Sequence, residues 1–586
     1  MKVLLTTLNS KYIHSSLALR YLYHFNQEAF PGVITLQEYT INHDPNYILA
    51  ELYKGDFQIL CFSCYIWNIE ATLEVIRNLK KVKPESTIIL GGPEVSFEAA
   101  ELMKQQAGID YIVQGEGELT FQELLAYLIH KKGRIEDIQG ILYRKGDSIF
   151  QNQERNLIKD LDKIPRPYDE KLEGLENKIL YYESSRGCPY NCSYCLSSTI
   201  KGVRFFSIER VKQDLRIFLD ARVKQVKFVD RTFNAKKEHC LEIMKYLQEM
   251  DNGYTNFHFE ITADLLDDEI LDFLSKVREG LFQFEVGVQT TYEKTMHAID
   301  RRVTFSKLEK TVRTISAFKN IHLHLDLIAG LPYEDLERFK VSFNQVYDLK
   351  PEKLQLGFLK LLKGSAIRHE REVHGYIFKD EAPYEILENK YISYRQLLRL
   401  KMIEEMVEIY YNSHGFDGAI GFMLANFYTN PYEFYQSISE FWEEKGYHHS
   451  AHHKNELYKL LADFYEHASF PHRELFLEIL KLDYLKQGRG SLPDFFPRVE
   501  IEDFKDRCHA FLQSQENIMT YLESFVRMPA KQIIKKVHFE NFAYDVVEIL
   551  KHPKVEAAPR KVTTVLFDYE LEQKVFSKSK FYKVEI

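Results

Sequence analysis

The chain has 586 residues and a formal net charge of −9, from 77 basic and 86 acidic residues, so its global charge does not favour generic nucleic-acid binding. No apolar run approaches the length of a membrane span or a signal-peptide core, and the length predicts several domains. Seven cysteines are too few for a disulfide framework. Three of them fall within eight residues, which indicates metal ligation in a reducing compartment, the cytoplasm.

The first 135 residues alternate short β-branched runs with amphipathic segments, which is typical of a doubly wound parallel sheet. Five strands with crossover helices predict a flavodoxin-like α/β domain. Residues 136–175 contain a hairpin pattern turned at Gly146 and Asp147 and a Pro-rich stretch, so we interpret them as a linker. The candidate strands are Lys2–Thr6, Val33–Glu38, Ile59–Ser63, Thr87–Leu90 and Tyr111–Gln114.

Strand and helix patterns alternate again over residues 176–390 and predict a partial (β/α)6 barrel. Residues 391–586 have long amphipathic segments, such as Pro431–Lys445 and Lys454–His467, which predict a mostly helical C-terminal domain that ends in a hairpin over residues 562–584. The candidate barrel strands are Ile179–Ser184, Gln225–Asp230, Asn256–Thr262, Leu281–Val288, Ile321–Leu327 and Lys353–Leu359.

The strongest chemical signal is a cysteine cluster directly after the first barrel strand. Cys188, Cys192 and Cys195 have C-x3-C-x2-C spacing, which suits three irons of a 4Fe-4S cluster and leaves the fourth iron open. Zinc is the competing interpretation. Structural zinc takes four protein ligands, however, and no fourth Cys or His follows within 40 residues.

This cysteine loop resembles the signature of the radical S-adenosylmethionine (SAM) superfamily, in which an aromatic residue, here Tyr194, precedes the last cysteine. The resemblance implies that SAM chelates the open iron and that its cleavage yields a 5′-deoxyadenosyl radical, which abstracts hydrogen. It also implies an electron donor such as flavodoxin or ferredoxin.

Four further barrel segments resemble the superfamily's SAM-contacting segments in the correct order, and a fifth, at Gly364, resembles its sixth strand end. Relatives often have a second acid where this chain has Arg231, and the polar residues at the third strand end, Thr262 and Asp264, equally suit helix capping. The SAM-binding residues that the resemblance implies are Tyr194, Asp230, Glu260, Gln289, Asp326 and Gly330.

The strand-end loops of the first domain are where a flavodoxin-like fold binds its ligand. Gly-rich turns are common there, so the loops alone indicate little. Together they resemble the cobalamin-binding domain that precedes the barrel in one radical SAM class. His14 lies near the position of a cobalt-ligating histidine, but the D-x-H-x-x-G motif is missing, so we expect cobalamin without a histidine ligand. The implied cobalamin-binding residues are Asn9, Ser63, Gly91, Gly92, Pro93 and Gly115.

The resemblance implies a cobalamin-dependent radical SAM enzyme that methylates, or rearranges, an unactivated carbon of an unknown substrate. The C-terminal region resembles an uncharacterised domain appended to some relatives. An RNA-modifying methylthiotransferase is a weaker hypothesis because it needs three further cysteines in the first domain, which has only Cys61 and Cys64. A non-catalytic cobalamin or iron-sulfur sensor is the third hypothesis, and it predicts no SAM cleavage.

Overall fold

The computed structural model describes residues 1–555, 559–569 and 579–586. The chain forms two units, one of residues 1–339 and 357–394 and the other of residues 340–356 and 395–586.

The first domain is a seven-stranded sheet with helices on both faces. Its strand order is β2-β1-β3-β4-β5-β6-β7, with parallel pairing from β2 to β5. Central strands β1 and β3 are buried along their whole length, because one hydrophobic core lies on each face of the sheet. The elements are β1 (Val3–Asn9), α1 (Leu17–Asn26), β2 (Ile34–Thr40), α2 (Pro45–Lys54), β3 (Ile59–Ser63), α3 (Ile69–Val82), β4 (Thr87–Gly91), α4 (Ala99–Gln105), β5 (Tyr111–Val113), α5 (Glu118–His130), β6 (Ile141–Lys145) and β7 (Ser148–Gln151).

The hairpin that we assigned to the linker is part of this sheet. Strand β6 pairs antiparallel with β5, and β7 pairs antiparallel with β6. An edge strand leaves unpaired backbone groups, and the hairpin covers the edge that β5 would otherwise present. The sheet therefore continues past residue 135, and only the segment after Gln151 has the irregular structure expected of a linker.

The barrel consists of six strands in the order β15-β14-β13-β12-β11-β8, with the cysteine loop on the small hairpin of β9 and β10. The predicted six-strand partial barrel is confirmed. The elements are β8 (Leu180–Tyr182), β9 (Ser185–Cys188), β10 (Gly202–Phe205), α6 (Ile208–Asp220), β11 (Gln225–Phe228), α7 (Lys237–Glu249), β12 (Asn256–Ile261), α8 (Asp268–Leu274), β13 (Phe282–Gln289), α9 (Glu293–Ala298), α10 (Phe305–Phe318), β14 (His322–Ala329), α11 (Leu336–Tyr347), β15 (Lys353–Phe358), α12 (Ala366–His369), α13 (Arg371–His374), β16 (Ile377–Phe378) and β17 (Ile386–Glu388).

Burial alternates along the barrel strands. On β14, Leu323, Leu325 and Leu327 are fully buried, whereas His322 and His324 are half-buried. Successive side chains of a strand point to opposite faces, so the leucines form the face covered by helices and the histidines form a polar face. We call this polar face the lumen face.

The second unit is mostly helical, as expected. Helix α18 is buried on all sides, and Glu478 and Lys481 form an ion pair of 2.9 Å within it, both side chains being completely buried. The terminal hairpin is confirmed by antiparallel β19 and β20, although its turn, residues 570–578, lies outside the described residues. Among the described residues, no helix is both long and apolar enough to cross a membrane. The elements are α14 (Tyr394–Tyr410), α15 (Asp417–Phe427), α16 (Pro431–Lys445), α17 (Lys454–His467), α18 (Arg473–Lys486), α19 (Phe504–Gln513), α20 (Gln515–Tyr521), α21 (Ala530–Ile533), β18 (Val537–Phe542), α22 (Val546–Lys551), β19 (Thr563–Asp568) and β20 (Lys580–Val584).

Candidate active site

The cysteine loop is carried by the β9–β10 hairpin at the C-terminal end of β8. Gly187 has a φ of 103°, and a Cβ there would overlap the carbonyl oxygen of Gly202 on the opposite strand. Only glycine permits this close antiparallel approach. Cys188 ends β9 opposite Gly202, so the hairpin fixes where the loop to Cys192 and Cys195 begins.

The three cysteines are free thiols with polar neighbours. Cys188 Sγ lies 3.4 Å from Thr232 Oγ1, and Cys195 Sγ accepts a hydrogen bond of 3.4 Å from a backbone N–H. Three thiolates on one tetrahedral zinc ion lie about 3.8 Å apart. Within the described residues, three possible metal-ligand atoms lie within 4.8 Å of one another only at a site that does not include these cysteines. The three Sγ atoms therefore do not all lie within 4.8 Å of one another, which fits a cluster in which each thiolate binds a separate iron.

Asp230 holds the start of the cysteine loop. Its carboxylate accepts hydrogen bonds from the hydroxyls of Ser184 and Ser185 at 2.7 and 2.5 Å and from the Ser184 backbone N–H at 2.9 Å. Burial raises the pKa of Asp230 to about 7, against the opposing effect of these hydrogen bonds. Its oxygens are thus engaged by the segment before Cys188, and its predicted contact with SAM remains a prediction.

Arg301 is a functional candidate that the sequence reasoning missed. Its guanidinium is buried beside the cysteines, with Nη1 3.9 Å from Cys192 Sγ and 3.4 Å from the Tyr194 hydroxyl, while Nη2 donates to the carbonyl of Gly287. Burial alone would lower the arginine's pKa, but the neighbouring Tyr194 and Cys192 raise it. A permanent positive charge therefore lies beside Cys192 and Tyr194. Arg301 follows Cys192 by more than 100 residues in the sequence, so no local motif connects the two residues.

Two of the barrel strand ends have buried acceptors without partners. Within the described residues, Gln289 Oε1 and Asp264 Oδ1 are buried and have no hydrogen-bond partner. Gln289 also has a φ of 70°, and the register between β13 and β14 shifts between Gly287 and Gln289. Such strain and such bulges concentrate at functional sites, and a bulge re-aims a side chain. The unsatisfied acceptors fit a ligand with amino and hydroxyl donors, as SAM has.

The remaining predicted SAM residues differ in their surroundings. Burial, and then the charge of Glu285, raises the pKa of Glu260. Asp326 lies on the lumen face of β14. The carbonyl of Gly330 accepts hydrogen bonds from Tyr376 and Asn389, so its backbone also serves packing.

The loops predicted to bind cobalamin meet at the C-terminal edge of the first sheet. Gly92 has a φ of 108°, and a Cβ there would overlap the backbone of Cys64. The hydroxyl of Ser96 donates to the Gly92 carbonyl at 2.9 Å and accepts from the Gly115 N–H at 3.3 Å, which joins two of the loops. Space is open above Gly115, where a Cβ would meet nothing within 4 Å. This open, glycine-lined edge fits a large cofactor.

The other first-domain candidates are partly engaged. The amide of Asn9 donates to Glu38 at 2.8 Å and to the His14 carbonyl at 3.3 Å, which shapes the loop after β1. His14 Nδ1 is hydrogen-bonded to the Tyr181 hydroxyl at 2.7 Å, and burial lowers the pKa of His14. Trp67, 47% exposed, stacks on Tyr65 with ring centroids 4.4 Å apart.

A cluster of charges joins the first domain to the cysteine loop. Arg186, two residues before Cys188, pairs with Glu116 at 3.2 Å, Glu118 at 2.7 Å and Glu183 at 2.8 Å, and Arg204 also pairs with Glu116 at 2.8 Å. Arg186 thus pairs with three acids. Glu116 and Glu118 border the first domain's fifth strand-end loop, so the two predicted cofactor loops are directly connected.

Comparison with known families gives each region a description. Residues 3–125 match the family model of the B12 binding domain, and residues 182–346 match that of the radical SAM superfamily. Residues 372–567 match a family described as a protein of unknown function, DUF4080. The chain combines a B12-binding domain with a radical SAM domain. These domains imply a 4Fe-4S cluster, SAM and cobalamin as cofactors, and the cysteine spacing, the unsatisfied acceptors and the glycine-lined edge fit them.

Similar proteins include methyltransferases. The cobalamin-dependent radical SAM methyltransferase TokK of Streptomyces tokunonensis is 25% identical over 338 residues, which are 54% of this chain and 49% of TokK. The hopanoid C-3 methylase of Methylococcus capsulatus is 28% identical over 306 residues, 50% of this chain and 57% of the methylase. The chain thus spans about half the length of these curated relatives.

Solved structures show the same fold. The cobalamin-dependent SAM radical enzyme OxsB, with aqua-cobalamin and SAM bound, matches with a TM-score of 0.58 and 16% identity over 83% of this chain and 78% of OxsB. The radical SAM methyltransferase TsrM from Kitasatospora setae, with cobalamin and a 4Fe-4S cluster bound, matches with a TM-score of 0.54 and 16% identity over 66% of this chain and 79% of TsrM. The predicted order of domains is therefore confirmed at the level of the fold.

Proposed function

We propose that this protein is a cobalamin-dependent radical SAM enzyme that methylates, or rearranges, an unactivated carbon of its substrate. The observation that carries the proposal is the direct link between the two candidate cofactor loops. Arg186 binds Glu116 and Glu118 beside the glycine-lined edge and lies two residues before Cys188. A methyl donor and a radical source must act on one substrate carbon, so their loops must be held together.

Each part of the site has a role in this proposal. Cys188, Cys192 and Cys195 would hold the cluster, and Gln289 and Asp264 would accept hydrogen bonds from SAM. Arg301 would stabilise the negative charge of the thiolates. When bound, the cluster and SAM supply one-electron cleavage of the SAM sulfonium, and cobalamin supplies the methyl group.

We propose that cobalamin is bound without a histidine ligand. His14 is the histidine on the loop after β1, and its Nδ1 is held by Tyr181 of the first barrel strand. The loop itself is fixed by the Asn9 amide, which holds the His14 carbonyl. A ligating role would require His14 to leave this hydrogen bond.

The methylthiotransferase alternative is less well supported. It needs a second cluster in the first domain, where Cys61 and Cys64 pack in the cores on opposite faces of the sheet. Burial raises the pKa of both thiols, which opposes the thiolate form that binds iron. We further propose that a small electron-transfer protein such as flavodoxin or ferredoxin is the reductant and that the protein acts in the cytoplasm.

The cobalamin assignment is tested by two matched glycine substitutions. Gly92→Ala would force the loop after β4 away from Cys64, whereas Gly32→Ala changes a glycine that also has a positive φ, 69°, with nothing within 4 Å of the added Cβ. After incubation with hydroxocobalamin and desalting, we expect the parent and Gly32→Ala proteins to retain about one cobalamin per chain and Gly92→Ala to lose most of it. Equal retention by both variants, with unchanged circular dichroism, would contradict the assignment.

Methyl transfer is tested with the reconstituted full chain. Under dithionite and SAM, a methyltransferase forms S-adenosylhomocysteine together with 5′-deoxyadenosine, because one SAM supplies the methyl group and another is cleaved. Deoxyadenosine without S-adenosylhomocysteine would favour rearrangement. A protein that binds cobalamin and forms neither product would favour the sensor hypothesis.

A further inference from the structure

The lumen face of the barrel carries a group of ligand-type side chains away from the cysteine loop. Lys227, His258, Glu285 and His324 lie on four adjacent strands and are register partners or neighbours of partners on the same face. His258 is nearly buried, whereas Lys227 and Glu285 keep about a quarter of their side-chain surface exposed. None of these four residues has a role in the proposed SAM or cobalamin chemistry.

Three of these side chains form a compact trio. One ligand atom each from His258, Glu285 and His324 falls within 4.8 Å of the other two. His258 Nε2 lies 2.9 Å from a carboxylate oxygen of Glu285, and the two imidazole rings lie 5.6 Å apart between centroids, at 88° to each other. Ligands of one tetrahedral zinc ion lie about 3.4 Å apart, so small side-chain rotations would close the trio around an ion.

The chemistry of the trio suits a borderline divalent ion. Two imidazoles and one carboxylate are a common three-ligand set for catalytic zinc, and the fourth position stays open for water or a substrate atom. Gln283 hydrogen-bonds His324 Nε2 at 2.6 Å, the kind of outer contact that orients a ligating ring.

Lys227 places a positive charge next to the carboxylate of the trio. Its Nζ lies 3.0 Å from the same Glu285 oxygen that contacts His258. The ammonium group therefore neutralises the carboxylate at the edge of the trio. Its long side chain can withdraw when a divalent ion takes over this charge.

We propose that His258, Glu285 and His324 form a binding site for one divalent transition-metal ion of the zinc class on the lumen face of the barrel, with Lys227 as the competing cation. The site is separate from the three-cysteine loop. It also does not depend on the proposed function, because it requires neither SAM nor cobalamin.

The test uses the full chain in which Cys188, Cys192 and Cys195 are all replaced by alanine, so that thiolates cannot bind the probe. This protein is incubated with Zn²⁺ and separately with Co²⁺, desalted and measured for metal content and visible absorbance. We expect about one ion per chain and a Co²⁺ spectrum without thiolate charge-transfer bands. No retained ion would overturn the proposal.

Further substitutions assign the ion to the trio. His258→Ala and His324→Ala should each weaken Zn²⁺ binding at least about tenfold, whereas His322→Gln, on the same face of the same strand as His324, should leave it unchanged. Equal binding by all three variants would overturn the assignment.

The variant Lys227→Met distinguishes a metal site from an ion-pair network that serves only stability. Removal of the competing ammonium should tighten Zn²⁺ binding about tenfold, even if the variant is less stable without metal. Unchanged or weaker binding by a folded Lys227→Met protein would contradict the role of Lys227 and the proposed location of the ion.

Discussion

Replacement of Arg186 by methionine should destabilise the first unit strongly. The guanidinium pairs with Glu116, Glu118 and Glu183, and its own side chain is only 13% exposed. Arg204 would still hold Glu116, so the substitution leaves Glu118 and Glu183 without their cation. Removal of one partner from a buried ion pair costs about 3–5 kcal/mol, because the remaining charge is buried and uncompensated. We expect a loss of that size in the free energy of unfolding, measured by urea denaturation of the full chain.

Arg216→Met is the matched control for this experiment. Arg216 pairs with Asp220 at 2.8 Å, but both side chains are at least half exposed, so solvent screens the pair and a much smaller loss is expected. In the double variant Arg186→Met with Glu118→Gln, part of the lost stability should return, because one uncompensated charge is removed. If Arg186→Met loses no more stability than Arg216→Met, the ion pairs of Arg186 do not contribute the free energy of unfolding that we assign to them.

Substitutions of other buried charged residues should also change activity or stability. Arg301→Gln should lower the rate of SAM cleavage at least about tenfold, whereas the exposed neighbour Arg302→Gln should not, as measured by deoxyadenosine formation. Lys481→Met should destabilise the second unit by about 3–5 kcal/mol in urea, and the added change Glu478→Leu should restore much of this loss. Burial would raise the pKa of Glu116, but Arg204 and Arg186 outweigh it and lower the pKa, so its stabilisation is present above the unfolded value of 4.5 and is lost as the pH falls through the lower folded value. The stability difference between the parent and Glu116→Gln should therefore be complete at pH 7 and should shrink only as the pH falls below about 4.5 and through the lower folded value. A difference that stays constant across this range would contradict this sign.

The sequence predicts regular elements well where local patterns decide them. Strand β3 reads as a short apolar run and is buried along its length, and helix α16 begins at Pro431 after the capping residue Asn430, as its pattern indicates. The hairpin around Gly146 was predicted as a hairpin but placed in a linker. Its pairing with β5 is a contact between distant segments, and no local pattern reports which edge a hairpin will cover.

The candidate site also has features that local sequence predicts and features that depend on contacts between distant segments. Cysteine spacing is local, so the cluster loop could be predicted from the residues around Cys188 alone. Arg301 and the trio of His258, Glu285 and His324 could not, because their neighbours come from segments distant in the sequence that meet only in the folded domain. The alternation of His322, His324 and Asp326 on β14 was a usable signal, since a strand that is apolar at every second position leaves its polar residues on one face.

The decisive measurement is 5′-deoxyadenosine formation by the full chain after anaerobic reconstitution with iron and sulfide, with dithionite and SAM present. The control is the variant in which Cys188, Cys192 and Cys195 are alanine. We predict deoxyadenosine from the parent protein and none above background from the variant. A parent protein that carries an intact cluster and forms no deoxyadenosine, or a cysteine-free variant that forms as much as the parent, would contradict the proposed radical SAM activity.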